Sequence, residues 1–227
     1  MKKFKFRESL KKSWEIYKNN WRLVLSSCAA YVGIVSFLSS MDNLPKPLIT
    51  GAIWDIISTV FSVYISFLFT KGILKFIDTH SVGVNDLKFT QKQITTFIKT
   101  ILILLGLGII VGIILLLLSV ASILFNGFFG IFVSVVIILL AVYGALRLSF
   151  MSFFLIDHAS HMSARSIIEK LWEKTDGKVG SIIVFGIKIL LLNLLGLIAL
   201  GIGLVITLPL SALIKADFYR EQIQDNV

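Results

Sequence analysis

From Thr100 to Leu146, between Lys99 and Arg147, no side chain carries a charge. Few folds are open to a chain with such a stretch. One helix needs only about 20 apolar residues to cross a hydrocarbon core roughly 30 Å thick. As a single straight helix the stretch would reach roughly 70 Å at about 1.5 Å per residue, so it must turn back. Ser119, Ser122, Asn126, Gly127 and Gly130 interrupt the apolar run, and Asn-Gly is a strong turn signal. The pattern predicts two membrane helices, about 98–120 and 130–156, joined by an uncharged turn. Lys99 and Arg147 then lie towards the same side of the bilayer.

The rest of the chain repeats that theme. It is 56% hydrophobic and 15% charged, against about 25% charged residues in a soluble domain. A transmembrane barrel would show alternating segments of about 10 residues, whereas the apolar runs here are continuous. The fold class expected is therefore an all-α membrane protein. Its six transmembrane helices form three hairpins, each preceded by a cytosolic amphipathic helix, within one integral membrane domain, 1–227. The spans fall at about 21–41, 48–77, 98–120, 130–156, 179–200 and 204–219. Pro45 and Pro47 stop the first span, and Gly201 with Gly203 turns the last pair; without that turn, five spans and an outside C-terminus result, with Lys215 and Arg220 against the charge rule. Asp78 to Lys92 reads as polar, with a short interfacial helix feeding the third span. Ser166 and Glu169 have capping-box spacing.

The net charge is +9, yet nucleic acid is not the partner implied, because the basic residues border the spans. With both termini in the cytoplasm, Lys46 is the one basic residue of the 22 Lys and Arg on an outer connection. That is the positive-inside pattern and places the chain, multi-pass, in a cytoplasmic membrane. The basic N-terminal stretch lacks the features of a cleaved signal peptide, so the first span is expected to remain as an anchor. Cys28 is the lone cysteine and forms no intrachain disulfide.

Residues 1–20 carry an interfacial signature. Phe6, Leu10, Trp14, Tyr17 and Trp21 recur at helical spacing, with Lys3, Arg7, Lys11, Lys12 and Lys18 over much of the remainder. Such a helix suits an anionic headgroup layer, and Lys3, Lys11, Lys12, Trp14 and Trp172 are the expected surface contacts. Leu10-Lys-Lys-Ser-Trp14-Glu also resembles Ile168-Glu-Lys-Leu-Trp172-Glu, each just before a span.

Charged or polar groups inside a span are costly and so are functional candidates by default. Asp55, Arg147, Lys188 and Asn193 are the candidate intramembrane polar site. Asp55 and Lys188 are paired as partners, and Arg147 with Asp157 or Asp217; interhelical ties or snorkelling are the plainer roles. Gly108 and Gly112 form a GxxxG motif for close helix packing, while Gly201, Gly203 and Pro209 shape a turn or broken helix. His158 and His161 lack the third or fourth ligand of a zinc site. No catalytic residue, cofactor or metal is expected.

The Arg147 to Asp157 run, Ser166 to Trp172, Asn193 to Pro209 and Ala216 to Arg220, with Glu8 to Trp14, carry a family resemblance. The chain resembles a bacterial group of polytopic membrane proteins of unknown function, which includes the membrane domain attached to some glycerophosphodiester phosphodiesterases. That resemblance implies a six-helix bacterial membrane protein and brings no functional residue with it. The function expected is a non-enzymatic accessory, scaffold or lipid-interacting protein binding anionic headgroups, with a membrane-protein partner or a homo-oligomer. A small transporter using the polar site is the alternative, and a membrane-embedded enzyme comes last.

Overall fold

A computed structural model describes residues 4–42, 48–124, 127–198 and 203–224. The turn at 43–47, Asn126, Lys3 and Gly201 lie outside the described residues. Helices account for the described elements, and no strand occurs among them. The chain divides into two compact units, 1–88 with 185–227, and 89–184.

In the first unit α1 (Phe6–Asn19) leads into α2 (Trp21–Asp42), which pairs with α3 (Leu48–Thr79). The α3 helix ends where His80 adopts a left-handed φ of 56° and its N–H reaches the Phe76 carbonyl at 2.8 Å. This conformation satisfies an orphan carbonyl at a helix C-terminus. A short 3-10 helix, Val84–Leu87, follows. The unit is organised on α9 (Leu204–Gln222), which packs against α1, α2 and α3. The C-terminal half of α9 buries Leu213, Ile214, Ala216, Phe218 and Tyr219. The second part of α8 (Val179–Ile198) also belongs here.

In the second unit α4 (Gln91–Leu124) pairs with α5 (Gly127–Arg147), followed by α6 (Met151–His158) and α7 (Ala164–Lys174). The α4 helix begins about two turns before the expected span. Its start is set by Thr90 and Gln93, a reciprocal capping box: the Gln93 N–H donates to Thr90 Oγ1 at 3.4 Å and the Thr90 N–H to Gln93 Oε1 at 3.0 Å. The separate interfacial helix before this span therefore merges into it. The expected fourth span is divided by a turn at 148–150, between α5 and α6. The N-cap of α7 is Ser163, which accepts from the Ser166 N–H at 3.3 Å. Glu169 pairs with Arg165 at 2.7 Å instead of capping Ser166.

Five stretches are long and apolar enough to cross a membrane: Trp21–Ser40, Ile53–Thr79, Gln91–Leu118, Ile131–His158 and Val179–Ile198. Their exposed faces are rich in Leu, Ile, Val and Phe, which suits contact with lipid rather than water. The α9 helix is not among the five, and Lys215, Asp217, Arg220 and Glu221 occupy its C-terminal turns.

Candidate functional site

The α1 helix meets α9 through a narrow stripe, Ser9, Ser13, Ile16 and Tyr17. Two serines on that stripe let the helices approach closely, since small side chains keep backbones near one another. At the contact Lys12 donates to Asp217 Oδ1 at 2.5 Å, with the carboxylate side chain 3% exposed. Asp217 Oδ2 and Ser9 Oγ are buried without a hydrogen-bond partner among the described residues. Phe4 and Phe185 close one end of the contact against Phe218, the last two stacked at 4.1 Å.

Trp14 does not belong to the buried stripe. It is 44% exposed and stacks on Tyr17 at 5.7 Å. At 100° per residue, Arg7, Lys11 and Lys18 share its sector of the helix, and all three are exposed. Lys12, grouped by sequence with the surface contacts, is held by Asp217, and Arg7 and Lys18 stand beside Trp14 in its place. The expected aromatic face is thus split: Tyr17 packs inward, while Trp14 and Trp21 point away from the unit.

The α7 helix has the same register. Ile167, Leu171 and Thr175 are buried at the positions that Ser9, Ser13 and Tyr17 occupy relative to Trp14, and Trp172 is exposed like Trp14. Each tryptophan also stands seven residues before the start of the next membrane-length helix, Trp21 for α2 and Val179 for α8.

Arg147, at the end of α5, reaches the C-terminus of α7. Its guanidinium donates to the Trp172 carbonyl, to Thr175 Oγ1 at 3.3 Å and to Asp176 Oδ1 at 3.0 Å. It also lies 4.2 Å from the centre of the Trp172 ring and 3.2 Å from the Tyr143 hydroxyl. A cation at a helix C-terminus complements the dipole, so the buried charge is satisfied by a structural tie. Its ion-pair partner is Asp176, where Asp157 or Asp217 was expected. Gly177 follows with φ 66°, which frees the chain to turn into α8.

Of the other candidate polar residues, Asp55 is exposed on α3. Lys188 is also exposed, its ammonium 5.4 Å over the Phe6 ring, so it turns towards α1 rather than pairing with Asp55. Asn193 has a buried Oδ1 without a partner among the described residues, and Thr207 a buried Oγ1 in the same condition. The two helices that carry them touch: a Cβ at Gly203 would stand 2.6 Å from the Gly196 oxygen, and one at Gly196 would stand 2.3 Å from Thr207 Oγ1. Seven residues of straight helix would separate Gly196 and Gly203 by about 10 Å, so α8 and α9 are not one continuous straight helix. Pro209 is buried in α9. Gly108 and Gly112 instead face open space, with nothing within 4 Å of an added Cβ, and no close helix contact uses them here.

His158 bonds the Phe154 carbonyl through Nδ1 at 3.1 Å and stacks on that ring. Among the described residues no three His, Cys, Asp or Glu side chains gather as metal ligands. The features on hand are those of a multi-pass helical membrane protein. Comparisons with family models, with curated proteins and with solved structures give no match.

Proposed function

We propose that this chain is a non-enzymatic accessory or scaffold protein of a bacterial cytoplasmic membrane that binds anionic phospholipid headgroups. In this reading α9 is a sixth span, both termini are cytoplasmic, and α1 and α7 lie at the cytoplasmic surface. The observation that carries the reading is the shared register of α1 and α7. Each buries one stripe and exposes a tryptophan immediately before a membrane-length helix. A tryptophan at that point suits the interface, where an apolar ring with a polar edge is most stable. Arg7, Lys11 and Lys18 beside Trp14 supply the charge for anionic lipid, at about 1 kcal/mol for each basic residue near the surface. The resemblance to polytopic bacterial membrane proteins supports the same topology.

The test uses the full chain with Trp14 as its sole tryptophan, Trp21, Trp54 and Trp172 being replaced by Phe. In nanodiscs at low salt, brominated phosphatidylglycerol should quench Trp14 more strongly than brominated phosphatidylcholine. Replacing Arg7, Lys11 and Lys18 by Gln should remove that preference. Equal quenching by the two lipids in the chain with all its charges would overturn the reading.

A second reading, a small transporter, draws on the unpartnered Asn193 and Thr207 oxygens. Alanine at both positions should then abolish uptake of whatever solute the chain carries, whereas intact uptake removes this alternative.

A further inference from the structure

Within the first unit a groove of about 350 Å³ runs between α2 and α3 and is closed at one end by the loop that bears the 3-10 helix. Its walls include Val24, Ala30 and Ile34 from α2 and Phe69 and Ile73 from α3, with Leu87 across the end. Of the polar side chains lining it, Ser27 donates through Oγ to the Leu23 carbonyl at 2.7 Å, and the Tyr31 ring stacks on Phe69 at 4.7 Å. Both walls belong to membrane-length helices. An apolar groove in that setting meets hydrocarbon rather than water.

Its dimensions select the occupant. From Leu23 to Ile34 the groove follows α2 for about 16 Å at roughly 1.5 Å per residue, close to half of a hydrocarbon core about 30 Å thick. A groove of that length lies within one leaflet, the depth that a single acyl chain occupies.

The closed end is basic. Arg22 is exposed at the start of α2, beside the groove residue Leu23. Lys71 and Lys75 flank the groove residues Gly72 and Ile73 and hold the closing loop. Lys71 donates to the Lys88 carbonyl at 2.5 Å, and Lys75 lies 3.7 Å from Asp86. Lys88 is exposed on the same loop. Of the nearby carboxylates, Asp86 faces Lys75 and Asp78 is engaged by Arg220 at 2.5 Å. A surplus of positive charge therefore stands where a lipid chain entering the groove would leave its phosphate.

We propose that the α2–α3 groove is a binding site for one acyl chain of an anionic membrane phospholipid, with its headgroup over Arg22, Lys75 and Lys88. This inference rests on the membrane reading above but not on the α1 surface, which is a different set of residues. It adds a resident lipid held in a defined site to lipid met at the headgroup layer.

The experiment uses the full chain in nanodiscs with a phosphatidylglycerol probe carrying a diazirine on one acyl chain, read by peptide mapping after illumination. Label is expected on 23–34 and 65–76. Unlabelled phosphatidylglycerol should compete it away and phosphatidylcholine should not. Ala30→Phe, which fills the groove, should lower that label about tenfold. Val32→Phe adds similar bulk on the opposite side of α2 and should leave it unchanged. Equal competition by phosphatidylcholine, equal label in the two variants, or a chain-to-chain crosslink through these peptides would overturn the proposal. Groove label that survives Arg7, Lys11 and Lys18→Gln, alongside lost Trp14 preference, separates the two sites. In the chain with all its charges, missing Trp14 preference with groove label intact overturns only the α1 reading, and missing groove label with Trp14 preference intact overturns only this proposal.

Discussion

Replacing Arg147 by Met tests how the second unit holds α7 to α5. Arg147 is 5% exposed, and its guanidinium carries three kinds of contact of unequal weight. The pair with Asp176 counts for little, about 0–1 kcal/mol, because that carboxylate is 74% exposed. The bond to the Trp172 carbonyl is a cation at a helix C-terminus, about 1–2 kcal/mol. Stacking on the Trp172 ring adds about 1 kcal/mol. Against these stands relief: Met no longer has to bury a charge. Nor are the neighbours orphaned, since Thr175 Oγ1 still donates to the Leu171 carbonyl at 2.9 Å and lies 3.1 Å from the Trp172 carbonyl.

The net loss expected is about 2–3 kcal/mol, or roughly 30- to 150-fold in an equilibrium constant. Hydrogen exchange on the chain in nanodiscs reads it locally, as faster exchange of the 164–176 amides by about that factor. Arg147→Lys should fall between, at about 1–2 kcal/mol, because an ammonium cannot reproduce the planar fork. Asp176→Asn should cost less than about 1 kcal/mol. Unchanged exchange across α7 in Arg147→Met, or Asp176→Asn doing equal damage, would refute the assignment of Arg147 as the tie.

In the first unit Lys12→Met strips the partner from a carboxylate that is 3% exposed, so it should destabilise by about 3 kcal/mol; adding Asp217→Asn should recover much of that loss in thermal unfolding. Gly203→Ala puts a Cβ 2.6 Å from the Gly196 oxygen and 2.7 Å from its Cα, where only backbone movement gives relief. It should lower stability by about 1–3 kcal/mol. Gly108→Ala and Gly112→Ala meet open space and should be neutral or up to about 1 kcal/mol stabilising. Equal losses at Gly203 and Gly108 would show that the α8–α9 approach is misjudged. Lys178, just before α8, is held below its ordinary value of 10.5 by burial first and by Lys174 second. Its charged form is less favoured in the folded chain than in the unfolded one, so stability should climb as pH rises through the window below 10.5. Lys178→Gln should flatten that slope, and an unaltered slope would sink the assignment.

Much of the architecture was legible before any coordinates. A run without charge from Thr100 to Leu146 can satisfy its backbone in lipid only as helix, and its length forces a turn whatever the rest of the chain does. The Trp14 and Trp172 similarity was also visible, because seven-residue spacing to the next span is a local property. The start of α4 is legible too, in Thr90 and Gln93, a capping signal about two turns upstream of the apolar run.

Which polar groups meet was not legible, and the reason is geometric. Periodicity ranks residues around one helix, while partners are chosen by the crossing of two. Lys12 and Lys11 look alike in sequence; only the approach of α1 to α9 turns one onto Asp217 and leaves the other exposed. By sequence Arg147 is a charge in a span, and only the meeting of the end of α5 with the last turn of α7 gives it its role. Gly108 and Gly112 carry the packing motif, yet the close approach is made at Gly196 and Gly203. The sequence by itself determined that this chain is helical, apolar and folded back on itself, because hydrocarbon leaves the backbone no other choice. Tertiary structure alone decided where charges are neutralised and where a groove is left open, because those depend on distances between residues far apart in the chain.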